Sequence, residues 1–281
     1  MEGTQDEGRL LPEDIARYYE LGGEVGRLST PFGELELART QEILLRYLPE
    51  PPARVLDVGG GPGTYSAWLA RLGYEVHLID PLPLHLEQAR ELSQQQTKHP
   101  IASISPGEAR ALPYEDRSVD VVLLFGPLYH LTERAARVDA LREAGRVLRN
   151  DGVVFAVGIS RFASTLDGLM SGFLDDQEFA RIARQDLIDG QHRIPTEEEH
   201  YFTSAFLHHP DELRGEIEES GLQLEKLLAV EGAAVFLQDL ETRWADTGRR
   251  EQLLEVLRWL EDEPSMLGAT GHLMAVASVS P

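Results

Sequence analysis

Arg54-Val55-Leu56-Asp57-Val58-Gly59-Gly60-Gly61-Pro62-Gly63 is the stretch from which the rest of this chain is read. Val55, Leu56 and Val58 form the near-continuous apolar run of a strand buried on both faces. The glycines at 59, 61 and 63 then mark a backbone that turns tightly and lets another molecule come close. A buried strand that runs into such a turn is a place where a nucleoside-bearing cofactor can sit. The dinucleotide version of the turn, G-x-G-x-x-G, needs a third glycine where this chain has Thr64. The spacing here is Asp57-x-Gly59-x-Gly61-x-Gly63, with an acid just ahead of the turn.

Outward from that turn, Thr64 to Leu72 reads as a short helix closed by Gly73, and Tyr74 to Asp80 as a second strand ending in an acid. Asp80 lies 23 positions after Asp57, close to the spacing of a βαβ unit whose second acid holds a ribose. One carboxylate there can accept from both ribose hydroxyls. A helix from Pro83, a short strand at Ile101 to Ile104 and the apolar run Val119 to Phe125 continue the alternation. Gly126-Pro127-Leu128-Tyr129-His130 follows at that strand's carboxyl end, where open α/β sheets place ligands. A helix over Thr132 to Leu148, then a strand over Val153 to Ile159, completes a doubly wound parallel pattern.

Upstream, Pro12-Glu13-Asp14 starts a helix that puts Ile15, Tyr18 and Tyr19 on one face. A second helix runs from about Glu34 to Leu48, with Leu37, Leu44, Leu45 and Leu48 on one stripe. Downstream, Ser164 with Asp167 reads as a capping box, and Asp175 to Gly190 as another helix. A helix over Pro210 to Gly221, a strand over Leu222 to Val230, a helix over Arg249 to Asp262 and a last strand from His272 to Val279 end the chain. The expected organisation is a helical cover over 1–50, a cofactor-binding core over 51–160, a helical lid over 161–209 and the rest of the α/β core over 210–281.

The 281 residues suffice for one α/β domain with appended segments. A formal charge of −22 repels phosphate backbones, which argues against nucleic-acid partners. The chain has no cysteine, so disulfides, thiolate metal sites and cysteine nucleophiles are all excluded. Its start, Met1 to Glu7, is acidic and lacks the apolar core of a signal peptide, and no run reaches the ~18 apolar residues of a membrane span. The expectation is a soluble, cytoplasmic protein, with self-association into a homodimer left open.

Val55 to Gly63, Asp80, Gly107-Glu108-Ala109, Leu112-Pro113-Tyr114 and Ser118 to Val122, in this order, resemble the motifs of the class I S-adenosylmethionine-dependent methyltransferases. The resemblance is strongest over residues 35–160 and closest to the small-molecule branch that includes the ubiquinone and menaquinone pathway enzymes. It implies a Rossmann-like, seven-stranded, mostly parallel sheet with an antiparallel last strand, S-adenosylmethionine as cofactor and a small-molecule methyl acceptor. By the same resemblance Asp57 organises the turn, and Gly59, Gly60, Gly61 and Gly63 pack on the methionine and ribose portion. Asp80, with Pro81 beside it, holds the ribose, Glu108 and Ala109 read the adenine edge, and Phe125-Gly126 lines the methionine side. The family usually carries aspartate where this chain has Glu108.

Methyl transfer from a sulfonium is an in-line displacement that positioning and water exclusion serve. A proton must still leave an oxygen or nitrogen acceptor, and His130 stands where a base is wanted, against the plainer reading of a capping histidine. Tyr129 is the candidate for shaping the acceptor pocket. Tyr18, with Tyr19, is the candidate for closing over the cofactor, the alternative being core packing. Arg39 faces away from the leucine stripe, and in the resembled family an upstream basic residue meets the methionine carboxylate. His192, His200, His208, His209 and His272 lack the spacing of a metal site, so no metal is expected. Glu197-Glu198-Glu199 reads as a solvated charge run rather than a site for a cationic acceptor. Two other functions fit the same glycine turn: a nicotinamide-dependent oxidoreductase, which Thr64 disfavours, and a non-catalytic binding protein that senses S-adenosylmethionine.

Overall fold

A computed structural model describes residues 11–22, 24, 26–194 and 202–279. Its first half comprises α1 (Glu13–Glu20), α2 (Pro31–Tyr47), β1 (Arg54–Val58), α3 (Thr64–Arg71), β2 (Glu75–Asp80), α4 (Pro83–Gln94), β3 (Ser103–Pro106) and β4 (Val119–Leu124). There follow α5 (Pro127–His130), α6 (Arg134–Val147), β5 (Leu148–Ser160), α7 (Ala163–Ser171), α8 (Gln177–Asp189), β6 (Gln191–His192) and β7 (Ala205–His208). The chain ends with α9 (Pro210–Glu219), β8 (Leu222–Ala229), α10 (Leu240–Ala245), α11 (Thr247–Leu260) and β9 (His272–Val279).

The main sheet runs β3-β2-β1-β4-β5 in parallel, and β9 continues it antiparallel to β5 with β8 antiparallel beyond it. This is the expected seven-stranded Rossmann-like order with its antiparallel last strand. Two further short strands, β6 and β7, raise the sheet to nine among the described residues. Their place follows from unequal strand lengths. The last β4 residue, Leu124, pairs with Ala156, so the end of the 13-residue β5 has a free edge on that side. The β7 strand fills it by pairing Leu207 with Ile159 and His208 with Ser160. Unpaired backbone groups are costly when buried, so an apolar four-residue segment docks there. The span 161–209 therefore mixes helices with strands and is not purely helical.

Helices cover both faces of the sheet. On one face Ala140, Leu141, Ala144 and Val147 of α6, with Leu213 and Ile217 of α9, pack on Leu56, Val122, Val154 and Ala275. On the other, Ile43 and Leu44 of α2 join Leu69 and Ala70 of α3 against Val55, Val121, Phe155 and Met274. The α2 helix is thus a layer of the core, while α1 alone lies over the ligand end of the sheet, where Ile15 and Tyr19 pack on Leu82.

Several boundaries moved for local reasons. The α2 helix starts at Pro31 because Thr30 caps it, its hydroxyl accepting from the Gly33 amide at 3.1 Å. Proline is favoured at the first helical position, where no amide is needed. The expected leucine stripe of α2 is also rotated: Leu45 is 57% exposed, and Leu35, Glu36, Arg39, Thr40, Ile43 and Leu44 are buried. The capping box at Ser164 and Asp167 does not form; Phe162 occupies the N-cap of α7, and Asp167 accepts from Ser171. No helix among the described residues is long and apolar enough to cross a membrane. The expectations for residues 1–10, His200 and Glu197-Glu198-Glu199 lie outside the described residues.

Candidate active site

The carboxyl ends of β1, β2 and β4 open on a cavity of about 450 Å³. Its wall includes Asp57, Gly59, Gly60, Gly61, Asp80, Pro81, Glu108, Ala109, Phe125, Gly126, Tyr129 and His130, so twelve of the fifteen residues singled out from the sequence meet in one hollow. Gly63 and the two residues treated below as corrections, Tyr18 and Arg39, are not part of that wall.

The glycine turn is held by its neighbours. The amides of Gly59 and Gly60 both donate to the Ile79 carbonyl, at 2.8 and 3.3 Å, which bends the chain back over β2. Gly59 and Gly61 have φ of +68° and +56°, a region costly for side-chain-bearing residues. A Cβ on Gly61 would meet nothing within 4 Å, so its open side belongs to the cavity. Gly63, also left-handed, caps α3, and a Cβ there would stand 3.2 Å from that of Ala89. Its job in this structure is to let α3 and α4 approach.

Asp57 is buried and accepts from the Ser66 hydroxyl at 2.6 Å, while desolvation raises its pKa to about 6. Asp80 ties the turn to the next helix. One of its oxygens accepts the Gly61 amide at 2.9 Å; the other accepts the Leu82 amide at 2.9 Å and meets His85 Nδ1 at 3.1 Å. His85 lines the same wall, and its buried Nε2 has no hydrogen-bond partner among the described residues. A polar atom left so costs stability unless a ligand completes it, and the hydroxyls of a ribose fit that need. Glu108 accepts from both the backbone and the side chain of Arg110 at the far end of the cavity.

On the roof, His130 Nε2 and the Tyr19 hydroxyl are 2.6 Å apart, and the His130 ring is inclined 30° to that of Phe202, 6.1 Å between centroids. Burial lowers the His130 pKa to about 4, so the ring is neutral at physiological pH. The loop after His130 is fixed from below by Arg137, which donates to the Leu131 and Thr132 carbonyls and is itself paired with buried Glu216.

Two expectations are corrected. Arg39 is fully buried and away from the cavity, donating to Glu42, Glu261 and the Val230 carbonyl. The rotation of α2 turns it toward β8 and α11. The tyrosine in the cavity wall is Tyr19; Tyr18 packs its ring on Phe202 instead. Arg27, which the sequence analysis did not single out, does reach the cavity wall, as Arg110 does at the Glu108 end. It sits close on α2 because a Cβ on Gly33 would fall 2.1 Å from its carbonyl oxygen. From there its guanidinium pairs with Glu24 and Glu36. Tyr65 and His85 were likewise missed, since each sits on a helix face whose neighbours read as plain packing.

Behind Arg27, the side chains of Glu36, Glu231 and His272 hold metal-ligand atoms within 4.8 Å of one another. Each carboxylate there already has a cationic or hydrogen-bonding partner: Glu36 takes Arg27, and Glu231 accepts from His272 Nδ1 at 2.6 Å and from Thr270. Burial disfavours charge on His272, but Glu231 and Glu36 outweigh it and raise its pKa to about 9. A raised folded-state pKa gives stability that is full below the unfolded value of ~6.5 and lost as pH rises through about 9. Urea denaturation should therefore show stability falling by up to about 3 kcal/mol between pH 6.5 and 9.5, a slope that His272→Gln should flatten. Among the other histidines, His192 pairs with Asp186, His208 with Glu216, and His209 caps α9.

Comparison with known proteins agrees with this geometry. Residues 56–156 match the family described as a methyltransferase domain. A ubiquinone biosynthesis O-methyltransferase from Methylocella silvestris is 30% identical over 172 residues, covering 53% of this chain and 64% of that protein. The methyltransferase GfsG of Streptomyces halstedii is 28% identical over 201 residues, covering 71% of this chain and 63% of that one. The chain thus spans just under two thirds of the length of either relative. Among solved structures, a putative methyltransferase of Haloferax volcanii, seen in complex with the Trm112 activator, superposes with a TM-score of 0.59 at 18% identity, over 95% of this chain and 98% of that one. A possible histamine N-methyltransferase from Thermotoga maritima gives 0.58 at 16% identity, over 95% and 100%. At such identities the likeness is one of fold.

Proposed function

We propose that this chain, whose core is a class I methyltransferase domain, moves a methyl group from S-adenosylmethionine to an oxygen, nitrogen or carbon nucleophile of a small molecule. The observation that carries this is the shared hollow: a left-handed glycine turn, the Asp80 carboxylate, Glu108 and Phe125 face one cavity from the ends of four adjacent strands. Asp80 and the unpartnered His85 Nε2 suit a ribose, and Glu108 with the Ala109 amide suits an adenine edge. Phe125, Gly126 and the open face of Gly61 leave room for the amino-acid tail, with Arg27 as the cation at that end. The bound cofactor supplies an activated methyl on a sulfonium; the protein's part is to position the acceptor and exclude water. A nicotinamide reading would put Thr64, a cavity-wall residue, where the pyrophosphate turn requires glycine.

The acceptor class stays broad because relatives carry names of both kinds: the ubiquinone O-methyltransferase above and a glycine/sarcosine/dimethylglycine N-methyltransferase from Actinopolyspora halophila, 28% identical over 145 residues. Lid length and lining set acceptor choice on a shared fold. The 161–209 segment, with α7 and α8, is our candidate for that lid. The test is to incubate the protein with methyl-labelled S-adenosylmethionine and panels of small phenols and amines, following S-adenosylhomocysteine. Product above the acceptor-free rate is expected with at least one class. Tight cofactor binding without product across both panels would point to the binding-protein reading instead.

A further inference from the structure

We propose that Tyr19 is the group that meets the methyl acceptor, and that His130 acts through it as the terminal proton holder. This rests on the methyl-transfer reading and goes beyond it by assigning the proton's route. His130 cannot offer Nε2 to an acceptor directly, because the Tyr19 hydroxyl already occupies it at 2.6 Å. Burial keeps the imidazole neutral, so only one ring nitrogen carries a proton; the relay takes the tautomer with that proton on Nδ1, in which Nε2 accepts from the phenol. A phenol oxygen that donates its proton keeps its lone pairs, and among the described residues no donor uses them. Tyr19 is 8% exposed and forms part of the cavity wall, edge-on to both His85 and His130.

The step balances. The acceptor's heteroatom forms a bond to the methyl carbon as the carbon–sulfur bond breaks, and that electron pair stays on sulfur. The acceptor's proton passes to the Tyr19 oxygen while the proton of Tyr19 passes to His130 Nε2. The site loses a sulfonium and gains an imidazolium, so its net charge is unchanged. A histidine that resists protonation beside a cation resists it less once that cation has become a neutral thioether.

The plainer role for the same contact is a latch that docks α1, and binding measurements separate the two without a known acceptor. Sinefungin carries an amine where the methyl on sulfur would stand, whereas S-adenosylhomocysteine keeps the sulfur and has nothing in the methyl's place. Calorimetry with both ligands on wild type, Tyr19→Phe, His130→Ala and the double variant reads whether the phenol oxygen faces the transferred group. The expected result is S-adenosylhomocysteine affinity within about threefold throughout, which also shows that each variant folds, and sinefungin about tenfold weaker in Tyr19→Phe. His130→Ala frees the phenol proton to turn toward the cavity and should weaken sinefungin similarly, with no further loss in the double variant. Equal losses for both ligands, or sinefungin unaffected relative to S-adenosylhomocysteine, would overturn the relay and leave a latch. Wild type that binds neither ligand would overturn the cofactor reading itself.

Discussion

Asp80→Asn is expected to weaken S-adenosylhomocysteine binding about 100-fold, the loss of two hydrogen bonds to a charged acceptor. The carboxylate is engaged on both oxygens, by the Gly61 and Leu82 amides and by His85. An asparagine keeps the size but has one acceptor oxygen and a donor group in place of the other. Either Gly61 or Leu82 then faces an N–H, and the glycine turn loses its anchor on β2 as well as its ribose acceptor. Stability should fall by about 1–3 kcal/mol from the same cause. Calorimetry and urea denaturation on the one variant read the two effects separately. Affinity held within threefold would remove Asp80 from the cofactor site.

Arg39→Met should cost about 3–5 kcal/mol of stability while leaving the cofactor affinity of the folded protein unchanged. Arg39 is fully buried, and its donors go to Glu261, Glu42 and the Val230 carbonyl, joining α2 to α11 and β8. Removing it leaves a carboxylate that is 8% exposed at its side chain with less than its full set of partners. Arg46, which donates to both Glu261 oxygens, holds the loss to the lower end of that range. Urea denaturation beside S-adenosylhomocysteine titration distinguishes this from the role expected from the family resemblance. An affinity drop above tenfold with stability intact would return Arg39 to the cofactor's carboxylate.

That contrast shows where the sequence was informative. Strands buried on both faces read clearly because every residue from Val55 to Val58 and from Val121 to Leu124 is buried, so the apolar run is broken only by Asp57. The turn and the two acids near the carboxyl ends of β1 and β2 read clearly because each answers a local need of backbone or ribose. The phase of α2 did not. It is covered by the sheet on one side and by α10 and α11 on another, through Leu35, Trp244 and Leu257, so no single stripe marks its inner face. Which of Tyr18 and Tyr19 lines the cavity was not legible for a similar reason, since an eight-residue helix carrying two adjacent tyrosines gives no rule for which one faces the ligand. Arg27 was hidden because its position depends on Gly33 and Glu36, ahead in the chain, rather than on any motif of its own. The strands β6 and β7, two and four residues long, are too short for a period to show.

The whole account depends on an adenosyl group lying across the ends of β1, β2 and β4. Titrating the wild-type protein calorimetrically with S-adenosylhomocysteine, and separately with NADH, tests it most directly. One site per chain with micromolar affinity for S-adenosylhomocysteine, and no heat from NADH, is the predicted result. No binding of S-adenosylhomocysteine at millimolar concentration, or NADH binding in its place, would contradict it.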